Sequence, residues 1–161
     1  MRELLDFCEG AVRRVVPAPT VVIKEGTKTG HLFVLAEGQF EVLRGDTVVA
    51  QLSEPGALTG EMSLLLDRPH TATVRTTIPS TYYEIESATS FLNERPAAAL
   101  LIAQLLAQRL NVATTYLADV MKQYAGHGNH LEMVGEILQS MISLPPLKVS
   151  PGSDRQSDPR M

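Results

Sequence analysis

The apolar positions of this chain change period once. Up to about residue 86, short runs of Val, Ile, Leu and Phe alternate with polar residues and are cut every few positions by glycine or proline. "AVRRVV" and "TVVIKEG" flank the turn "PAPT", and "HLFVLAEG" and "QFEVLRGDTVVAQL" follow, with turns at Glu37-Gly38 and Arg44-Gly45-Asp46. Strands this short, at this spacing, predict a β-sandwich or small barrel. Gly26, Gly30, Gly38, Gly45 and Gly56 mark its corners, where left-handed backbone is cheap for glycine alone. "ELLDFCEG" predicts a short leading helix, and "TATVRTT" and "STYYEIE" predict a hairpin across Ile78-Pro79.

From about Ser87 the period rises to near 3.5. "SFLNERPAAALLIAQLLAQRLNVATTYLADVMKQY" predicts a long helical segment broken near Pro96, a residue suited to opening a new helix. Leu106, Leu110, Ala113, Leu117, Val120 and Tyr124 form a heptad seam. The seam outruns what a small barrel covers, which favours a homodimer through this helix over packing on its own domain. Gly126-His127-Gly128 ends the helix. "HLEMVGEILQSMIS" sets Leu131, Val134, Leu138 and Met141 on one face of a short amphipathic helix. Docking on the parent domain or a partner subunit is its first reading, and a surface for a protein effector its second. The Pro- and Ser-rich tail "PPLKVSPGSDRQSDPRM" reads as disordered. The division is a domain at 1–125 that includes the long helix, a short helix within 126–144, and a tail at 145–161.

Composition narrows the classes. The 161 residues are 44% hydrophobic and 20% charged, as in ordinary globular domains. A net charge of -4 argues against a nucleic-acid partner. The single cysteine, Cys8, makes no intrachain disulfide and fits packing in a reducing, cytoplasmic setting. The N-terminus has acids where a signal peptide needs apolar residues. The run "PAAALLIAQLLA" is short for a bilayer and interrupted by Gln104, so no membrane span is expected. His31 lacks the second histidine of a cupin-type metal site, and His127 and His130 in "GHGNH" read as a solvated linker. No nucleophile–base–acid set or carboxylate pair is present in the sequence, so neither enzyme nor cofactor is expected.

The candidate chemistry lies in "TGEMSLLLDRPHTATV", Thr59 to Val74. Thr59 is a candidate N-cap and Gly60 lets a ligand approach the backbone. The start of "EMSLLL" offers free N–H groups for a phosphate. Glu61 can accept from hydroxyls. Asp67-Arg68-Pro69 turns the chain back, so that His70 and Thr71 face the same small volume. A carboxylate for hydroxyls beside N–H groups for an anion suits a sugar phosphate.

"GEMSLLLDRPHTATV" resembles the phosphate-binding cassette of cyclic nucleotide-binding domains. That pattern runs Gly-Glu, an aliphatic, a small residue, Leu, several residues, then Pro-Arg-Ser/Thr/Ala-Ala-Thr-Val. "IKEGTKTGHLFVLAEGQFEVLRGD" is similar to the family's glycine-punctuated strands, and "AQLLAQRLNVATTYLADV" to the dimerising C-helix of the catabolite activator protein group. The resemblance implies a mainly β fold, a jelly-roll-like double-stranded β-helix with an N-terminal helix and a long C-terminal helix. It implies a regulatory module for cyclic AMP or cyclic GMP. Glu61 would take the ribose 2′-hydroxyl, Gly60, Met62 and Ser63 would offer backbone near the sugar and phosphate, and Thr71, followed by Ala72, would donate to the phosphate. Ala113 or Thr114 would approach the base. Arg109 would either pair with Glu61 or lie on a solvated face.

His70 is the departure, because the family has arginine there. Arginine is always charged and forks onto two oxygens, whereas histidine is mostly neutral at pH 7. A phosphate contact by His70 predicts weak binding that tightens as pH falls and a gain on His70→Arg. The alternative is a degenerate pocket on a domain that serves as a protein-interaction module.

Overall fold

The computed structural model describes residues 2–123 and, beyond them, residues 135, 136, 139 and 140, which are helical. The expected helix at 126–144 and the tail otherwise lie outside the described residues, as does Tyr124 of the seam. Residues 1–107 form one compact unit, and the chain from Gln108 onward belongs to a second.

A 3-10 helix at Arg2–Phe7 leads into the strands. These are β1 (Val12–Val16), β2 (Val21–Ile23), β3 (Leu32–Glu37), β4 (Phe40–Arg44), β5 (Thr47–Leu52) and β6 (Leu58–Thr59). The six-residue helix α1 (Glu61–Leu66) separates them from β7 (Thr73–Thr76) and β8 (Ser80–Ile85). Helices α2 (Ala88–Glu94) and α3 (Pro96–Gln123) follow, with the break at Pro96 as its ring requires. Two antiparallel four-stranded sheets result, ordered β1-β8-β3-β6 and β2-β7-β4-β5. This is the expected jelly-roll with its leading and trailing helices.

The expected hairpin across Ile78-Pro79 does not form. β7 pairs with β2 and β4, whereas β8 pairs with β1 and β3, so residues 77–79 carry the chain from one sheet to the other. Pro79 has no N–H to give a ladder. The Ser80 hydroxyl instead donates to the Ile78 carbonyl at 2.7 Å and accepts from the Gln39 N–H at 3.1 Å.

Burial explains why "LFVLAE" is apolar without alternation. Phe33 and Leu35 face the space between the sheets with Ile23, Phe40, Val74 and Tyr82. Leu32 and Val34 face the other way, onto Leu4, Ile85, Phe91, Ala98, Ile102 and Leu105. β3 is thus covered on both faces, and such strands read as continuous apolar runs. Cys8 is 3% exposed in this second cluster, and burial pushes its thiol up to about 11, which fits packing.

α3 is longer than the run judged from sequence. By length and composition alone it would cross a bilayer. Core helices of water-soluble proteins share that property, and Ala98, Ile102 and Leu105 in its first turns are buried against the β-roll. Along the seam Leu110 is exposed and Leu106, Leu117 and Val120 are half-buried.

Candidate functional site

β6 pairs with β3 through Thr59 and Phe33, and the chain then turns at Gly60 into α1. Gly60 has φ +94, a conformation that costs other L-residues about 1–2 kcal/mol. A Cβ there would sit 2.6 Å from the His31 carbonyl oxygen. The glycine is therefore required by packing against β3, before any ligand approaches. Thr59 is not the N-cap: it ends β6, the cap position is Gly60, and no side chain caps the helix. The buried Thr59 hydroxyl has no hydrogen-bond partner.

α1 turns Glu61 and Ser63 inward, each 4% exposed, and leaves Met62 and Leu65 outside, each about half exposed. The helix closes on Asp67 at φ +51, with Asp67 N–H donating to Leu64 and Arg68 N–H to Ser63. That is the Schellman pattern, here with aspartate as the left-handed residue. The Ser63 hydroxyl donates to the Arg68 carbonyl at 2.5 Å and ties the turn to the helix. Lys28 Nζ lies 2.6 Å from Asp67 Oδ1 on the exposed side.

The His70 backbone is held from both sides, its N–H donating to Thr27 and its carbonyl accepting from Gly26, each at 2.8 Å. Its side chain is 6% exposed, with Nε2 3.0 Å from the Thr29 hydroxyl. Burial, and secondarily the neighbouring His31, lower its pKa, so near neutrality it carries no charge. His31 in turn lies 2.9 Å from Glu84, whose other oxygen accepts from Arg14 Nε at 2.9 Å. Burial pushes the Glu84 carboxyl up, but the hydrogen bonds from His31 and Arg14 outweigh it and its pKa is lowered. His31 is thus engaged by Glu84 through Nδ1, and no group of three or more metal-ligating side chains occurs among the described residues.

Thr71 and Ala72 are half-buried beside His70. The Thr71 carbonyl accepts from Arg44 Nε at 3.3 Å, a contact that the sequence alone did not reveal. Gly60, Glu61, Ser63, His70, Thr71 and Ala72 thus occupy one helix–turn–strand, with Met62 on its outer side. Thr114 lies in the second unit and bonds back to the Leu110 and Asn111 carbonyls at 2.9 and 3.0 Å.

Two open clefts lie on the first unit, one of them against α1. One of about 290 Å³ runs between Glu9–Val12, Glu84–Ser87 and α2. The other, about 370 Å³, is lined by Lys28–Gly30, Asp67 and the start of α2, and Ser63 and Leu64 reach it from α1.

The fold is thus a two-sheet roll interrupted by a glycine-entered, six-residue helix. Residues 13–104 match the family model of the cyclic nucleotide-binding domain, and the chain belongs to that family. Domains of this family are regulatory. No curated protein sequence matches the chain. Among solved structures it is similar to the Thermus thermophilus catabolite activator protein, at 21% identity and a TM-score of 0.60, over 87% of this chain and 83% of that one. A protein of a cyclic-GMP-dependent signalling pathway that regulates bacterial phytopathogenesis aligns at 21% identity and a TM-score of 0.60, over 69% of this chain and 94% of its own. A structure of Sp-2Cl-cAMPS bound to PKAR CBD2 aligns at 17% identity and a TM-score of 0.55, over 73% and 75% of the two chains. These likenesses are of fold.

Proposed function

We propose that this chain is a sensor that binds a cyclic nucleotide, cyclic AMP or cyclic GMP, in the cassette formed by Gly60–Ser63 and His70–Ala72, and that it catalyses no reaction. Glu61 carries the reading. A carboxylate 4% exposed on a helix entered through a left-handed glycine suits ribose hydroxyls, since a carboxylate offers two acceptor oxygens. The Thr71 hydroxyl, half-buried beside His70, suits the phosphate. α3 is the output element, since its first turns pack on the same strand β3 that holds Gly60. Its seam supports a homodimer in the cytoplasm, with a protein effector as the further recipient.

One observation favours the second reading, a degenerate module that binds protein alone. His70 is turned onto Thr29 and is uncharged near neutrality. Calorimetric titration of the whole chain with cyclic AMP and with cyclic GMP, paired with amide NMR shifts, separates the two. Saturable binding with shifts at residues 60–63 and 70–72 is the expected result. No heat and no shift at millimolar nucleotide leaves the interaction module.

A further inference from the structure

An anion in the cassette needs a fixed positive charge, and His70 does not supply one: it is buried, faces Thr29 and is neutral near pH 7. The cations around the cassette differ in how they are engaged. Lys28 is held by Asp67 at 2.6 Å, Arg75 by Glu41 at 2.6 Å and Arg14 by Glu84 at 2.9 Å. Arg44 is not so held. Among the described residues no carboxylate pairs with it, and its one hydrogen bond there is from Nε to the Thr71 carbonyl at 3.3 Å.

Its place in the sheet explains that contact. Side chains two apart on a strand share a face, and Phe40 and Val42 of β4 point into the core between the sheets. By the same alternation Arg44 falls on the Phe40–Val42 face, and it is exposed at the end of the strand. β4 pairs with β7 through Leu43 and Thr73, which sets Arg44 level with Ala72 in the next position. An arginine has five N–H donors in a planar fork. One is spent on Thr71, which fixes the group, and the Nη donors remain for a ligand.

We propose that Arg44 supplies the guanidinium that the cassette lacks at position 70, and that it binds the cyclic phosphate together with Thr71. This rests on the cyclic-nucleotide reading above. The arginine is charged at every relevant pH. Affinity is therefore flat between pH 7.5 and 6, and does not rise as a phosphate contact by His70 would require.

The test is titration of the whole chain with cyclic AMP, cyclic GMP and uncharged adenosine, for wild type, Arg44→Gln, Arg44→Lys and Arg68→Gln. Arg68 is the rival, since its Nε is buried without a partner. Arg44→Gln should lose about ten- to a hundredfold in affinity for the cyclic nucleotides, the scale of one hydrogen bond to a charged group. Arg44→Lys should recover part of that loss, and adenosine binding should be indifferent to Arg44. Arg44 is exposed, so the ligand-free unfolding midpoint should not move, which separates a lost contact from a lost fold. Wild-type affinity in Arg44→Gln, or a loss that follows Arg68 instead, overturns the assignment and leaves the sensor reading standing. A wild-type chain that takes up neither nucleotide overturns both.

Discussion

Replacing Gly60 with alanine should destabilise the domain more than the same change at any open corner. Two costs combine. The backbone sits at φ +94, which charges an L-residue about 1–2 kcal/mol. The new Cβ would also lie 2.6 Å from the His31 carbonyl oxygen. That oxygen is main chain just ahead of β3, a strand held by β6 on one side and β8 on the other, so it gives way only with the sheet. Overpacking of this kind costs about 1–3 kcal/mol. The total is about 2–5 kcal/mol. Gly45→Ala is the control. Gly45 also has positive φ, +55, but a Cβ there meets nothing within 4 Å, so the backbone cost of about 1–2 kcal/mol stands alone. With a urea slope of about 2 kcal/mol per molar, Gly60→Ala should lower the unfolding midpoint by about 1–2.5 M and Gly45→Ala by about 0.5–1 M. Equal midpoints for the two variants would refute the claim that β3, and not a ligand alone, requires glycine at position 60.

Acid should weaken the fold in two stages. His70 has a lowered pKa in the folded chain, so the unfolded chain takes up its proton first and stability falls as pH drops below about 6.5. Glu84 is lowered as well, and its contribution, present above its ordinary value, is lost as pH falls through the acid range below about 4.5. Urea midpoints from pH 7.5 down to 4 should therefore only decline, and His70→Gln should remove the upper step; a wild-type midpoint that rises between pH 7.5 and 6 contradicts this. Thr76 is 0% exposed and its hydroxyl joins the Thr20 N–H at 2.9 Å to the Pro17 carbonyl at 3.0 Å. Thr76→Val should cost about 1–3 kcal/mol, because it strands the Thr20 donor, while Thr76→Ser should retain most of the stability in the same assay.

The local features were the legible ones. Corner glycines, strand runs, the helix break at Pro96 and the cassette all depend on neighbours in sequence. What lay hidden depends on distant pairing. β7 and β8 look like a hairpin because their turn residues permit one, yet each has a better apolar face to complete in a different sheet. β6 has only two residues and leaves no periodic trace. Gly60 reads as a position of close ligand approach, and nothing in the sequence announces that His31, 29 positions earlier, will also press against it. Thr29 claims His70 from 41 positions away, and Glu84 claims His31 from 53. For Arg44 a signal did exist: it stands two and four residues from Val42 and Phe40, the spacing of one strand face. The contact with Thr71, 27 positions on, turns that spacing into a candidate role.

Helix α1 has a consequence for how the domain answers a ligand. Six residues are far too few to hold a helix in water, where about 12–15 are marginal. This one persists because its entry glycine is wedged under a neighbouring strand and its exit is stitched by backbone and serine hydrogen bonds. Its shape is set before anything docks, so little ordering entropy is lost on capture. In the proposed sensor, a motion that reports capture would then begin outside this helix.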